Sequence, residues 1–320
     1  SHNTSLGISH CRMVRLPRGV SLPNDVLAWL LEPRNPSSRT LALTQLLHRP
    51  ADDSDVLAVR RAIPRATPAR DILLAQYPQG YWMHPGIGYS PRYRATLWQI
   101  LFLAQLGMGR NAALDRAVEH VFDTNQREDG AFRASKQRDD TPACLNGSLL
   151  WALETLGYGE AAEVQRAWSW LAGTVANDGL AATYADGKAC PWAAAKVLWA
   201  TNAVLEERRS SAVRMLEETT AGLLLGEVPD PARGDRRWVR LTFPLAHSAD
   251  LLQWLAVLVE AGYGHDRRLD PARSWLAGKR LPDGTWPLEH SPGKRWADFG
   301  SVGEPNKWVT LRALSVGPPG

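Results

Sequence analysis

The feature that most constrains the fold of this chain is a unit that returns roughly every 50 residues. In each unit an apolar segment ends at Leu-Gly or Ala-Gly, a second helical segment follows, and a turn containing Asp-Gly closes the unit. The clearest copies pair segments 97–107 with 111–126, 146–157 with 160–171, and 250–262 with 270–276. A period of this size is typical of helical hairpins, which must stack on their neighbours to bury their apolar faces.

Weaker copies of the unit complete the chain. Residues 190–225 form one more hairpin, the region before residue 82 is a degenerate copy, and the last copy is cut short at 307–316. Six inner helices are predicted, beginning near Ser37, Tyr93, Cys144, Cys190, Asp250 and Asn306. Because these helices are apolar on nearly all faces, they fit a ring enclosed by outer helices. The sequence therefore predicts an all-α fold, an (α/α)6 toroid of helical hairpins without strands of any length.

Composition sets limits on domain organisation and partners. Among 320 residues, 44% are hydrophobic and no break in composition occurs, which favours one domain over residues 21–320 after a flexible extension at 1–20. Three cysteines do not make a disulfide framework in a chain this long, so a reducing, cytoplasmic location is expected. No run of basic residues suggests nucleic-acid binding. No apolar stretch suggests a transmembrane segment or a cleavable signal, and the oligomeric state stays open.

Several turns resemble a known sequence repeat. Residues 76–82, QYPQGYW, fit the Gln-x3-Gly-x-Trp pattern of the terpene cyclase and protein prenyltransferase β-subunit superfamily, known as the squalene cyclase repeat. Residues 126–132 repeat it with Phe for Trp, and 281–286 keep the Gly and the Trp. The resemblance covers roughly residues 24–316 and implies an (α/α)6 toroid with a central cavity for a hydrophobic, isoprenoid-like substrate. Segments 29–47, 92–107 and 307–314 also resemble bacterial single-domain toroid proteins of uncharacterised function.

An acidic segment precedes the third inner helix, with the sequence QRDDTP at 137–142. Class II terpene cyclases carry Asp-x-Asp-Asp-Thr-Ala at this place, and their central Asp protonates an alkene or epoxide. The resemblance implies that Asp140 donates the proton and that Asp139 supports it. Gln137 stands at the first Asp position, which removes one carboxylate from the pattern. The alternative is a solvent-exposed helix cap, where Asp is common.

Two cysteines occupy corresponding positions at the starts of neighbouring inner helices. These are Cys144 and Cys190, and His247 lies just ahead of the next inner helix. Three such ligands suit tetrahedral Zn²⁺, and a helix N-terminus favours the thiolate form needed for nucleophilic catalysis. Lanthionine cyclases are similar in placing zinc-binding cysteines at inner-helix starts, but their Cys-His-Gly motif is missing here. The alternative is that both cysteines are small buried hydrophobes and His247 caps a helix.

Aromatic and basic residues near the inner-helix starts are predicted to bind substrate. The predicted residues are Tyr93, Arg94, Trp98, Trp192 and Trp308. Aromatic rings suit a cationic or polyene substrate, and an arginine suits a phosphate or carboxylate. The alternative is that the tryptophans pack in the core and the arginine is a surface charge.

The leading hypothesis is an enzyme of the terpene cyclase-like lyase or isomerase type. It would cyclise, isomerise or hydrate a hydrophobic substrate by proton transfer in the central cavity. A second hypothesis is a zinc- or thiolate-dependent enzyme that uses Cys144, Cys190 and His247. A third is a protein that binds a lipid or peptide without catalysis, because a fold does not fix a function.

Overall fold

The chain is all-α, as the sequence predicts. The computed structural model describes residues 24–136, 141–180, 188–233 and 236–317, and in these ranges the only β-type pairs are isolated bridges. The predicted extension at 1–20 lies outside the described residues. None of the described helices combines the length and the apolar composition that crossing a lipid bilayer requires.

Two sets of helices alternate along most of the chain. The inner helices are α2 (Pro36–Leu41, continued by a π-helical turn at Ala42–Leu46), α5 (Thr96–Gln105), α7 (Ala143–Thr155), α9 (Pro191–Ala203), α11 (Leu251–Leu258, continued by a π-helical turn at Val259–Tyr263) and α13 (Lys307–Ser315). The other helices are α1 (Asn24–Leu30), α3 (Ser54–Ala62), α4 (Ala69–Leu74), α6 (Ala112–Asn125), α8 (Ala162–Asp178), α10 (Ser211–Gly226) and α12 (Asp270–Gly278).

The predicted starts of the inner helices are confirmed to within a few residues. The largest difference is at Tyr93, where α5 begins only at Thr96. Tyr93 has a φ of 70°, and Ala95 is extended with a ψ of 169°. The chain therefore cannot enter a right-handed helix before Thr96.

The contacts between inner helices form a closed circuit. Helix α5 packs on α7, α7 on α9, α9 on α11, and α11 on α13. Helix α13 in turn packs on α2, and Leu41 of α2 lies against Gly107 at the end of α5. The indole of Trp308 donates a hydrogen bond to Ser37 Oγ at 2.9 Å, which joins the last inner helix to the first. This circuit is the arrangement expected of an α/α toroid.

In the two turns that contain it, the glutamine of the repeat joins the turn to the next hairpin. Gln76 Nε2 donates hydrogen bonds to the carbonyl oxygen of Gly80 at 3.0 Å and to that of Ala113, in α6, at 2.9 Å. The equivalent Gln126 makes the same pair of bonds at 3.0 and 2.7 Å, the second to α8. One amide group thus satisfies two backbone acceptors, which fixes the approach of successive hairpins.

The aromatic residue of the repeat is a core residue with both of its N–H groups bonded. Trp82 is fully buried, and its indole donates to the carbonyl oxygen of Ile72 at 2.8 Å. Its backbone N–H donates to Thr96 Oγ1 at 3.1 Å, at the start of the following inner helix. Trp286 makes the equivalent two bonds at 2.8 and 3.0 Å. The repeat therefore serves the fold, as the resemblance implies.

The end predicted for α8, the outer helix of the second clear copy of the unit, is wrong. The sequence pattern ends this helix at Leu171, but α8 runs from Ala162 to Asp178. Val175, one turn beyond Leu171, is buried and extends the same apolar stripe. Gly179, with a φ of 63°, ends the helix. Continued burial outweighs the small helix cost of Gly173.

Part of the connection to α11 crosses the interior of the ring. Residues 241–247, here called the crossing segment, contain the buried Phe243 and Leu245. The side chain of Gln105 accepts a hydrogen bond from Leu245 N at 2.7 Å and donates one to Leu245 O at 2.8 Å. The ring of Phe243 stacks on Trp308 with centroids 4.9 Å apart. A polypeptide segment thus occupies the centre of the toroid, which the sequence pattern did not predict.

The surroundings of two glycines predict which glycine-to-alanine substitution destabilises the protein more. Gly80 and Gly157 both have positive φ, 98° and 88°, so Ala at either position should lower the free energy of unfolding by about 1–2 kcal/mol. A Cβ at Gly80 would also lie 2.5 Å from Arg116 O, whereas nothing lies within 4 Å of a Cβ at Gly157. In urea unfolding, Gly80→Ala should therefore be the more destabilising change, and equal losses would contradict this packing.

Candidate functional site

The crossing segment divides the interior of the ring into two cavities. A small cavity of about 10 Å³ lies toward the inner-helix starts and is bordered by Ala246 and His247. A wide cavity of about 710 Å³ lies toward the inner-helix ends and is bordered by Phe243 and Leu245. Of these two cavities, only the wide one therefore has space for a ligand of substrate size.

Five of the residues predicted from the sequence gather around the small cavity. Trp98 and Cys144 line it together with His247. The ring of Tyr93 meets that of Trp98 at 5.1 Å, and the ring of Trp192 meets that of His247 at 5.8 Å. The volume of this cavity corresponds to about one water molecule. The predicted residues are thus neighbours, but they surround a closely packed region.

Two predicted substrate-binding residues lie elsewhere. The Arg94 guanidinium stacks on the ring of Trp296 at 3.8 Å, and the Trp296 indole donates to the Arg94 carbonyl oxygen at 2.8 Å. Arg94 therefore fixes the segment that contains Trp296 and leads to α13. Trp308 lines the wide cavity, and it is the only residue of the predicted set that does so among those described.

The predicted acidic pair, Asp139 and Asp140, lies outside the described residues. The described chain resumes at Thr141, and α7 begins at Ala143. Cys144 in the first turn of α7 borders the small cavity. The role of Asp140 as proton donor, with Asp139 in support, stays a prediction.

The described residues do not fit a zinc centre. No group of three or more His, Cys, Asp or Glu side chains among them is arranged to hold a metal ion. Cys144 and Cys190 are both buried, but Cys190 does not line the small cavity with Cys144 and His247. Burial, with smaller contributions from the charges of Arg92 and Lys196, lowers the pKa of His247 to about 4. His247 is therefore neutral at pH 7, but three ligands do not converge on one point.

A pair of stacked tryptophans forms one wall of the wide cavity. The rings of Trp151 and Trp199 lie 3.7 Å apart between centroids, with an angle of 16° between their planes. Helices α7 and α9 approach closely at Gly147, because this residue has no Cβ. A Cβ there would lie 2.8 Å from the backbone carbonyl carbon of Lys196. Both tryptophans lie one turn beyond this contact. The aromatic wall thus depends on a glycine inside a helix.

The floor of the wide cavity carries four polar side chains, here called the floor cluster: Lys196, Asp250, Gln253 and Arg312. Lys196 is fully buried, and its Nζ donates to Gln253 Oε1 at 2.9 Å. Arg312 Nη2 donates to Asp250 Oδ2 at 3.0 Å. Asp250 Oδ1 accepts from Gln253 N at 2.7 Å and so caps α11. Gln253 and Arg312 line the cavity, and the other two side chains hold them in place.

The charge state of the floor cluster depends on pH near neutrality. Burial lowers the pKa of Lys196 to about 7, and the charge of Asp250 opposes this effect in part. The Lys196 ammonium also lies 5.1 Å from the centroid of the Trp199 ring. Near pH 7 the protonated and neutral forms of Lys196 are therefore populated to similar extents.

A carboxyl group faces the wide cavity beyond the floor cluster. Along α11, Gln253, Ala256, Val257 and Glu260 all line the cavity, at the spacing of one helix face. The Glu260 side chain is exposed along the cavity, yet enough protein lies around its carboxyl group for burial to raise the pKa of that group. Asn202 Nδ2, at 3.4 Å from Glu260 Oε2, opposes the effect in part. A carboxyl group in this state holds a proton more readily than an ordinary glutamate does.

Comparison with known proteins gives matches to solved structures only: no family model and no curated protein matches the chain. The chain is similar to a substituted type II terpene cyclase MstE from Scytonema in complex with geranylgeranyl dihydroxybenzoate, with 13% identity over 89% of this chain and 97% of that one and a TM-score of 0.35. A protein from Actinoplanes gives 16% identity over 82% and 98%, with a TM-score of 0.32. These TM-scores are low, so the roles of individual residues rest on the geometry of this chain alone.

Removal of the buried lysine should change how stability depends on pH. Unfolded chains keep Lys196 protonated up to about pH 10.5, whereas the folded protein releases the proton near pH 7, so this residue makes stability rise with pH between those values. From pH 7 to pH 9 the rise amounts to about 2 kcal/mol. Lys196→Met should remove it. Urea unfolding at both pH values measures this, and any constant cost of the substitution cancels in the difference. The same rise in both proteins would contradict the assignment.

Proposed function

We propose that this chain is an enzyme that binds a hydrophobic, isoprenoid-like substrate in the wide cavity and transforms it by proton transfer. The observation that carries the proposal is a cavity of about 710 Å³ that combines an aromatic wall with a carboxyl group of raised pKa. Ligand pockets have volumes of about 300–1,000 Å³ and combine apolar walls with a few placed polar groups. The resemblance of the sequence to the terpene cyclase and protein prenyltransferase β-subunit superfamily implies the same substrate class.

The cavity wall is suited to a substrate that carries positive charge during the reaction. Trp151, Trp199 and Trp308 line the cavity, and the faces of indole rings attract cations. The aromatic rings of the wall therefore stabilise a carbocation.

Glu260 supplies the proton in this proposal. Its carboxyl O–H bond breaks, the proton bonds to one carbon of an alkene, and the π electron pair forms that C–H bond, which leaves a cation on the neighbouring carbon. A second alkene then attacks the cation and leaves a new cation that loses a proton, or a water molecule attacks it and the resulting oxonium ion loses a proton. Alternatively, the first cation itself loses a proton from an adjacent carbon. The released proton returns to the Glu260 carboxylate, so the enzyme is unchanged after the cycle. These outcomes are cyclisation, hydration and isomerisation.

Turnover in heavy water tests the proposal directly. Purified protein incubated with linear isoprenoid acids and alcohols of increasing length should give products that carry deuterium on carbon, detected by mass spectrometry. Glu260→Gln should lower this turnover by about 100-fold or more, because it removes the general acid. The exposed Glu128, in a repeat turn away from the cavity, provides the matched control Glu128→Gln, which should retain full turnover.

The outcomes separate the hypotheses that the sequence leaves open. Loss of turnover in Asp140→Asn, with Glu260→Gln unaffected, would transfer the acid role to the residue predicted from the sequence. Retention of isoprenoids without any deuterium incorporation would favour binding without catalysis and contradict the enzymatic proposal. Because a general acid must be protonated, turnover should also fall as the pH rises through the raised pKa of Glu260.

A further inference from the structure

The floor cluster has hydrogen-bond donors that are not used within the protein. Gln253 Nε2 and the Nε and Nη1 atoms of Arg312 are buried and have no hydrogen-bond partner among the described residues. Gln253 is 1% exposed, so bulk water does not hydrate its amide. Buried polar groups are nearly always bonded, and an unbonded one costs about 1–3 kcal/mol. Both side chains line the wide cavity, and their unbonded donors, which are themselves covered, contact a bound molecule once the two side chains turn toward it.

The acceptors of the floor cluster are already occupied. Gln253 Oε1 accepts from Lys196, and Asp250 Oδ2 accepts from Thr242 N at 2.8 Å as well as from Arg312. Arg312 Nη2 is used by Asp250 and by Thr242 O at 3.1 Å, which leaves the other two guanidinium nitrogens for a ligand. The floor therefore presents donors only, and a group that only accepts hydrogen bonds matches it.

The charges of the floor cluster favour the same kind of group. Arg312 is balanced by Asp250, and protonation of Lys196 leaves the cluster with one positive charge in excess. An anion in the cavity would balance this charge and would bind through charge-assisted hydrogen bonds, which are about twice as strong as neutral ones. Glu260, the acidic residue among the described residues that line the cavity, lies two helical turns from Gln253 along α11.

We infer that the floor cluster binds an anionic head group of the substrate, a carboxylate or a phosphate, through Gln253 Nε2 and Arg312. This inference rests on the proposed function, because it names the substrate class for the same cavity. The substrate is then an isoprenoid acid or phosphate ester whose apolar chain runs along the Trp151 and Trp199 wall. Gln253 and Glu260 are seven residues apart on α11, which corresponds to about 10 Å along the axis. The head group thus sets which double bond of the chain reaches Glu260.

Equilibrium dialysis with a charged probe and its neutral analogue tests the inference. Farnesoic acid should bind at pH 7 at least tenfold more tightly than its methyl ester, and farnesyl phosphate serves as the phosphate probe. Arg312→Gln and Gln253→Glu should each reduce the preference for the anion over the ester to below twofold. Gln253→Glu keeps an acceptor for Lys196, so it tests the inference even if Arg312→Gln does not fold. Whichever anion binds more tightly identifies the head group.

A second arginine provides the matched control. Arg60 also lines the wide cavity, but it lies on the outer helix α3, away from the floor cluster. Arg60→Gln should keep at least a tenfold preference for the anion. Equal binding of acid and ester to the unsubstituted protein would overturn the inference and leave the proposed function intact. A preference lost in Arg60→Gln but kept in both floor variants would also overturn it. Failure of every probe to bind would contradict the proposed function itself.

Discussion

The organisation of the interior depends on the need of buried backbone groups for hydrogen-bond partners. A segment without regular structure can cross an apolar ring only if its N–H and C=O groups are bonded. Gln105, the last residue of α5, supplies both partners for Leu245. Thr242 is bonded in the same way by Asp250 and Arg312. These contacts allow the crossing segment to lie inside the toroid, and the crossing segment decides where a ligand finds space.

The helical framework follows from local patterns in the sequence. The starts of the inner helices coincide with the predicted ones because apolar stretches, caps and glycine turns are short-range signals. The roles of Gln76, Gln126 and Trp82 also agree with the repeat. The crossing segment was not predicted because its contact with Gln105 joins residues 140 positions apart, and no local pattern reports such a pair. The end of α8 was not predicted because Gly173 interrupts the helical pattern, although the buried stripe continues past it.

The candidate site shows a different limit of prediction from sequence. Cysteines and paired aspartates stand out because of their chemistry, and in this chain Cys144 and Cys190 lie at inner-helix starts. The wide cavity is instead lined by tryptophans, a glutamine and charged residues that usually serve structure. A signal was nevertheless present: Lys196 and Gln253 are single polar residues within otherwise apolar helical stretches. A polar group that is carried into a core requires a partner, and in this protein the partners surround a cavity.

The wide cavity is not enclosed equally on all sides. On one side Gly147 brings α7 and α9 into close backbone contact, which closes the wall. At the seam between the hairpins of α2 and α5, the lining reaches Arg60 on α3 and Gly109 in the connection to α6. Here the side chain of Arg60 lies against Gly109. This part of the wall is therefore closed by a long side chain, whereas the α7 and α9 part is closed by backbone.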